Sequence, residues 1–266
     1  MEPRRAPNGY SYLNVGCGSQ FSKEWTNLDQ RDGDGVIGHD LRKPLPFDGA
    51  TFDVTYSSHV LEHFVPKDAE AFLREQWRVL KPGGICRVVV PDLERLCRDY
   101  LAHLDHAAKD PAPGNVLDYQ WTVLQLIDQM VREECGGEML RVLREGRFNP
   151  EFVRRQVGDE ASFVLDQPAS PSVAKLVEPT LAHSMKKQLK RVLGRDARGQ
   201  GEAHRWMYDR LSLRLLLERL GFSGCRVLAY SESSIPDWPR YALDTSRDGA
   251  GPRKPDSLFV EAVKPE

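Results

Sequence analysis

The sequence lacks both an excess of positive charge and a metal-binding or disulfide pattern of cysteines. It has 37 Lys and Arg against 39 Asp and Glu, a formal net charge of -2 over 266 residues. Nucleic-acid-binding proteins usually show a strong basic excess, so no nucleic-acid partner is expected. The five cysteines include no C-x-x-C pair, which favours a reducing compartment over a disulfide framework or a zinc finger. They are Cys17, Cys86, Cys97, Cys135 and Cys225.

Long apolar runs are also missing. No stretch approaches the ~18–20 apolar residues that a membrane-spanning helix needs, and Met1 to Asn8 contain no apolar signal-peptide core. We therefore expect a cytoplasmic protein without membrane insertion. The remaining composition, 40% hydrophobic and 29% charged, is that of an ordinary globular protein of one or two domains.

Short apolar runs alternate with helical patterns at both ends of the chain, which predicts an α/β fold with a parallel sheet. A helix is predicted over Lys67–Leu80, ended by Pro82, Gly83 and Gly84. A second helix, Asp209–Leu220, ends at Gly221, and a loop, Asp248–Asp256, precedes the last strand. The predicted strands are Tyr12–Val15, Thr26–Asp29, Val36–Gly38, Asp53–Ser57, Ile85–Val90, Gly224–Tyr230 and Leu258–Val263.

The middle of the chain has a different pattern, with helical stretches at Val116–Glu134 and Val173–Leu193 and no convincing strand. We therefore predict a helical insertion over residues 98–201. Residues 1–97 and 202–266 would then form the two parts of a core domain, and the insertion would shape the acceptor pocket.

A glycine-rich turn follows the first predicted strand. Gly16, Cys17 and Gly18 come directly after Tyr12–Val15, and Asp29 ends the next strand. Glycines there let a ligand approach the backbone, and the carboxylate can accept hydrogen bonds from ribose hydroxyls. An ordinary turn and a solvated loop aspartate are the alternatives. The segment Ser19–Trp25 is too short for a crossover helix and supplies no third glycine, which favours an adenosine ligand without pyrophosphate, S-adenosylmethionine (SAM), over NAD.

Further motifs extend this pattern: His39-Asp40-Leu41, Leu45-Pro46-Phe47, Ser57-Ser58-His59-Val60-Leu61-Glu62-His63 and Arg78-Val79-Leu80-Lys81-Pro82-Gly83-Gly84. With the glycine turn they resemble the class I SAM-dependent methyltransferases, in particular a bacterial subgroup with a shortened first helix. The resemblance covers about residues 10–93, and 202–263 more loosely. It implies a Rossmann-like, seven-stranded sheet with an antiparallel last strand.

The resemblance also implies roles for individual residues. Gly16, Cys17 and Gly18 would lie under the methionine and ribose parts of SAM, and Asp29 would bind the ribose. The other implied cofactor contacts are Asp40 and Leu41 at the adenine, and Ser57, Ser58 and His59 at the sulfonium. Asn14 departs from the family, in which an acidic residue is common at this position.

His59 to His63 also spell H-x-x-E-H, a zinc-protease motif when it lies on a helix. Here the motif follows a strand of a nucleotide site and matches the resembling family, so we predict no catalytic metal.

A candidate group of residues for acceptor binding lies just after the predicted insertion. It comprises His204, Arg205, Trp206 and Tyr208; the alternative is that Trp206 and Tyr208 only pack in the core while Asp209 caps a helix. His204 and His63 are the candidate catalytic bases, with Asp92 as a third candidate and a possible acceptor contact. A basic stretch, Lys186 to Arg198, is either a solvated helix face or a binding site for an acidic acceptor group.

The sequence therefore predicts methyl transfer from SAM to an oxygen or nitrogen of a small molecule or glycan, in secondary metabolism or polysaccharide biosynthesis. A protein or RNA methyltransferase, and a non-catalytic SAM-fold protein that binds a partner, are the alternatives.

Overall fold

The computed structural model describes residues 2–134, 136–159 and 203–266. The predicted helix Val173–Leu193 and the basic stretch Lys186 to Arg198 lie outside these ranges. The chain divides into two compact units. The first contains the residues up to Asp92, Trp206–Pro252 and Ser257–Glu266, and the second contains Leu93–Arg205 and Arg253–Asp256. The domain boundaries at residues 98 and 201 remain a prediction.

The first unit is built on one seven-stranded sheet of order β3-β2-β1-β4-β5-β7-β6. Strands β1 to β5 pair in parallel, and β7 pairs antiparallel to both β5 and β6. The predicted sheet with an antiparallel last strand is therefore confirmed. The strands are β1 Tyr12–Val15, β2 Thr26–Asp29, β3 Val36–Gly38, β4 Phe52–Ser58, β5 Leu80–Pro91, β6 Ser223–Leu228 and β7 Ser257–Val263.

The predicted helix Lys67–Leu80 is confirmed to within one residue at each end, but Pro82, Gly83 and Gly84 lie in the next strand, which was predicted to begin only at Ile85. Helix α1 spans Pro66–Val79, starts with the proline at its first turn, and ends where β5 begins at Leu80. The proline and glycines lie inside β5, at an irregularity in its pairing with β4. A side chain at Gly84 would lie 2.8 Å from the Lys81 carbonyl oxygen, so this position needs a glycine for steric reasons.

The two faces of the sheet have separate hydrophobic cores. On one face the strands pack with α1 and with α6, Arg210–Arg219, through Leu73, Leu213 and Leu217. On the other face Tyr12 and Trp25 stack at 4.7 Å between ring centroids. Trp238 and Tyr241 of α7, Trp238–Tyr241, complete that core. Because Ser19–Trp25 forms no helix, the connection between β6 and β7 covers this face instead.

A buried arginine links β5 to the segment between β6 and β7. The Arg87 guanidinium pairs with Asp244 at 2.9 Å and Glu261 at 2.8 Å, and it lies over the Trp238 ring. Tyr56 donates its hydroxyl hydrogen to the Asp244 carboxylate at 2.6 Å. The arginine therefore neutralises two buried carboxylates from elements distant in sequence.

Most of the described residues of the second unit are helical. Its helices are α2 Leu93–Lys109, α3 Pro113–Val131, α4 Gly137–Arg144 and α5 Pro150–Val157. Trp121 of α3 packs with Val142, Phe152 and Val153. The Asn149 side chain caps α5 by accepting from the Phe152 N–H. Among the residues described here, none of the helices has the length and hydropathy required to span a bilayer.

Candidate cofactor site

The glycine turn after β1 adopts a conformation that only glycine tolerates well. Gly16 and Gly18 have φ of +78° and +53°. The N–H groups of Gly16 and Cys17 both donate to the Leu28 carbonyl oxygen of β2, at 2.8 and 3.0 Å. These bonds hold the turn against the end of the neighbouring strand, where a ligand of the sheet edge would bind.

The two glycines differ in the space around them. A Cβ at Gly16 would lie 2.4 Å from the Val60 Cγ2 atom and 3.3 Å from the Leu41 Cδ1 atom, whereas a Cβ at Gly18 would have no neighbour within 4 Å. Gly16 is therefore required by packing, and Gly18 borders open space.

Asp29 lies at the end of β2, beside the turn. Its carboxylate accepts a hydrogen bond from the Gly18 N–H at 2.8 Å, and its carbonyl accepts from the His39 N–H at 2.7 Å. A half-buried carboxylate has further acceptor capacity, which suits a donor such as a ribose hydroxyl. The structure thus brings together the turn and the acid that the sequence singled out.

Asp40 follows β3 and forms a bidentate ion pair with Arg42. Its two carboxylate oxygens accept from Nε and Nη2 at 2.9 and 3.0 Å. The Arg42 guanidinium lowers the pKa of Asp40, so this carboxyl is an ionised acceptor near neutral pH. The neighbouring Leu41 is buried and contributes to the wall beside Gly16.

Two side chains of the β1 region have structural explanations. Burial raises the pKa of the Cys17 thiol to about 12, so Cys17 is a protonated packing residue rather than a nucleophile. Asn14 is buried and donates its Nδ2 hydrogen to the Gln20 carbonyl oxygen at 3.2 Å. The amide therefore closes the short connection to β2, a task for which a carboxylate has no donor.

The end of β4 differs from the other strand ends in its backbone. Ser57 is buried and its hydroxyl oxygen accepts from the Gln76 amide at 3.4 Å, and Ser58 is half-buried. His59 has a φ of +55°, which is uncommon outside glycine, and its N–H donates to the Val89 carbonyl oxygen at 2.9 Å. The chain therefore turns sharply away from the strand at His59.

Glu62 is a site residue whose role the sequence did not predict. It is fully buried, with its Oε1 atom 3.2 Å from His59 Nδ1 and 4.0 Å from His63 Nε2. The other ring nitrogen of His59, Nε2, lies 2.8 Å from the Ser257 hydroxyl oxygen at the start of β7. The H-x-x-E-H pattern was the available signal for Glu62, whereas Ser257 has no recognisable motif.

The H-x-x-E-H residues do not share a helix. A short 3₁₀ turn spans Leu61–His63 only, and His59 precedes it in the left-handed conformation. The two histidines therefore lack the i, i+4 helical placement of the zinc-protease motif.

The remaining predicted site residues lie in both units. In the first, Asp92 forms an isolated bridge with Tyr208, and the Trp206 N–H donates to the Glu62 carbonyl oxygen at 3.2 Å. Burial raises the pKa of the Tyr208 hydroxyl to about 12, with a smaller effect from the Glu62 charge. In the second unit, His204 is buried and its backbone N–H donates to the Gln129 carbonyl oxygen at 2.8 Å. Arg205, in the same unit, is exposed.

The chemistry of these residues fits SAM. Asp29 and Asp40 are acceptors, as a ribose diol and an adenine amine require. Gly18 leaves open space at the turn between them.

Part of the chain is similar to a known protein family. Residues 17–88 match a family model described as "Methyltransferase domain". A carbon methyltransferase, CurJ, is 10% identical with a TM-score of 0.41; the match covers 100% of this chain but only 50% of that one. A SAM-dependent methyltransferase from Thermotoga maritima is 11% identical over 96% of this chain and 82% of that one, with a TM-score of 0.40. A SAM-dependent methyltransferase from Archaeoglobus fulgidus is 13% identical. That match covers 96% of this chain and 86% of that one, with a TM-score of 0.39.

The family match begins at Cys17 in the glycine turn and includes Gly18, Asp29, Asp40 and the end of β4. The strand order and the antiparallel β7 agree with the expected sheet. Residues 17–88 of this 266-residue chain are thus similar to a methyltransferase domain.

Proposed function

We propose that this protein is a class I SAM-dependent methyltransferase, and that it transfers the methyl group of SAM to an oxygen or nitrogen atom of a small molecule or glycan. The observation that supports the cofactor half of this proposal best is the Asp29 carboxylate, which lies beside the open Gly18 turn at the end of two parallel strands. The near-zero net charge favours a small or uncharged acceptor over nucleic acid.

In this proposal each predicted cofactor residue has a defined task. Gly16, Cys17 and Gly18 support the methionine and ribose, Asp29 accepts from the ribose, and Asp40 with the Leu41 backbone meets the adenine. Ser57, Ser58 and His59 border the sulfonium. Bound SAM supplies an activated methyl group, so the protein mainly aligns the acceptor and excludes water.

The acceptor side is assigned to residues after β5 and at the end of the helical segment. Asp92, Arg205, Trp206 and Tyr208 are the proposed acceptor contacts, and residues 98–201 the insertion that shapes the pocket. His63 and His204 remain the base candidates from the sequence; His63 is 25% exposed beside Glu62. We also propose a cytoplasmic location and a role in secondary metabolism or polysaccharide biosynthesis.

Incubation with methyl-labelled SAM and separate pools of hydroxylated metabolites, glycans, amines, proteins and RNA tests the acceptor class. We expect label in a small-molecule or glycan pool. Label found only in protein or RNA would overturn the proposed acceptor class while leaving the methyltransferase assignment intact.

A further inference from the structure

Three polar side chains form a short chain of contacts between the end of β4 and the start of β7, with one hydrogen bond between His59 and Ser257. Ser257 Oγ lies 2.8 Å from His59 Nε2, and His59 Nδ1 lies 3.2 Å from Glu62 Oε1. We propose that this chain accepts the proton of a hydroxyl acceptor during methyl transfer, with His59 as the base and Glu62 as its positioning residue. The inference rests on the proposed function and narrows its acceptor to a hydroxyl.

The hydrogen-bonding capacities of the three side chains determine the direction in which a proton can move along them. An ionised carboxylate only accepts, so Glu62 favours the tautomer of neutral His59 that bears its hydrogen on Nδ1, 3.2 Å from Oε1. In a neutral imidazole the Nε2 atom then has the lone pair, and it faces the Ser257 hydroxyl. A base oriented by an acid and adjoining a hydroxyl is the arrangement by which proteins activate an oxygen nucleophile.

The arrangement contains two features that lower the stability of a fold, and this supports a functional role for it. His59 is one of the few non-glycine residues with positive φ in the described part of the chain, and Glu62 is a fully buried carboxylate. Backbone strain and a buried charge are both destabilising, and both are concentrated at active sites. The 3₁₀ turn Leu61–His63 and the bond from the Trp206 N–H to the Glu62 carbonyl hold the Glu62 backbone in place.

The proton moves in two linked steps. The acceptor hydroxyl gives its proton to Ser257 Oγ as the acceptor oxygen forms its bond to the methyl carbon. Ser257 at the same time gives its own proton to His59 Nε2. The bond between that carbon and sulfur breaks with its electron pair on sulfur, and the Glu62 carboxylate stabilises the imidazolium.

The tautomer of His59 tests the chain without any acceptor. The sequence contains seven histidines, so selective ¹⁵N-histidine labelling gives a spectrum simple enough to assign by the signal lost in His59→Asn. Asparagine is the right replacement because it tolerates positive φ, and it forms hydrogen bonds but cannot serve as the base. We expect hydrogen on Nδ1 in the wild-type protein and a mixture of tautomers in Glu62→Gln. Hydrogen on Nε2 in the wild-type protein would overturn the proposal.

Kinetics with phenols and monosaccharides as probe acceptors test the catalytic role. His59→Asn and Glu62→Gln should lower kcat by about 10²–10⁴-fold, the usual size of a general-base effect. Ser257→Thr, which keeps the hydroxyl, should retain much more activity than Ser257→Ala. His106→Asn, on the exposed surface of α2, is the matched histidine control and should behave as wild type.

The outcomes separate this inference from the proposed function. Full turnover by His59→Asn, or by Ser257→Ala, would overturn the proton chain while leaving the hydroxyl-acceptor function standing. Wild-type transfer restricted to amines would overturn both the hydroxyl acceptor and the chain, since a neutral amine needs no base. If none of the probes is methylated, the proposed function loses support, and the tautomer alone decides whether the chain is built as proposed.

Discussion

At the scale of single residues, two glycines of one turn have different reasons for being glycine. Both have positive φ, but only Gly16 faces side chains that leave no room for a Cβ. Gly18 borders open space, so its cost of substitution comes from the backbone alone. Packing in the fold therefore requires a glycine at position 16, whereas the space beside Gly18 is available to a ligand.

We predict that Gly16→Ala and Gly18→Ala differ in stability. Gly18→Ala should lower the free energy of unfolding by about 1 kcal/mol because alanine disfavours positive φ. Gly16→Ala adds the clash with Val60, so we expect a loss of about 2–4 kcal/mol. Urea unfolding of the two variants measures both. Equal losses would show that Val60 moves aside at no cost.

The structure brings Gly18 and Asp29 together as the sequence predicted, while their contact with SAM stays a prediction; the contact between His59 and Ser257 was not predicted. Gly16, Gly18 and Asp29 lie in contiguous motifs whose chemistry can be read directly. The pair of His59 and Ser257 joins positions far apart in the chain, and only the register of β7 beside β5 brings them together. A serine at the start of a strand has no pattern that predicts such a partner.

At the scale of secondary-structure elements, helix α6 shows how a predicted cap works. The Asp209 carboxylate accepts from the N–H groups of Leu211 and Ser212, and the Ser212 hydroxyl accepts from the Asp209 N–H. The Ser212 bond, with a smaller contribution from Leu211, lowers the pKa of Asp209. The N-terminal boundary of this helix was therefore predictable from local chemistry.

We predict that Asp209→Ala costs about 1 kcal/mol of unfolding free energy, the usual effect of losing an N-cap. Asp209→Asn keeps an acceptor and should cost much less. Because the folded pKa is lowered, the carboxylate stabilises the protein above the unfolded pKa of about 3.8, and this contribution is lost as pH falls through the folded pKa. Urea unfolding at pH 7 and below pH 3.8 checks the trend; an unchanged advantage of aspartate over asparagine at the lower pH would contradict it.

The boundary between α1 and β5 shows where local patterns misled the prediction. The helix ends within one residue of its predicted end, but β5 begins at Leu80 instead of Ile85, so Pro82, Gly83 and Gly84 lie at an irregularity within the strand. The pairing of β5 with β4 decides this, and pairing partners cannot be read from a local pattern.

We predict that Arg87→Leu lowers the free energy of unfolding by about 3–5 kcal/mol, because it leaves Asp244 and Glu261 buried without their cation. Arg226→Leu, at an exposed position on β6, is the matched control and should stay within about 0.5 kcal/mol of wild type. Calorimetric and urea unfolding give the comparison. A small effect of Arg87→Leu would mean that the carboxylates become protonated or hydrated at little cost.

At the scale of the whole molecule, the sheet follows from the order of the strands. Alternating strands and helices predicted a parallel sheet, and the first three strands have the predicted bounds. The packing of the second face was not predictable, because the connection between β6 and β7 covers it where a first helix is missing. Composition contains no signal for that replacement.

The central claim is that SAM binds at the glycine turn with its ribose on Asp29, and isothermal titration of SAM into the protein tests it most directly. Asp29→Asn should weaken binding by about 1–3 kcal/mol, since an amide loses acceptor capacity for the ribose hydroxyls and the Gly18 N–H. Asp34→Asn, at an exposed aspartate between β2 and β3, is the matched control and should bind like wild type. Wild-type affinity in Asp29→Asn, or no SAM binding by the wild-type protein, would contradict the account.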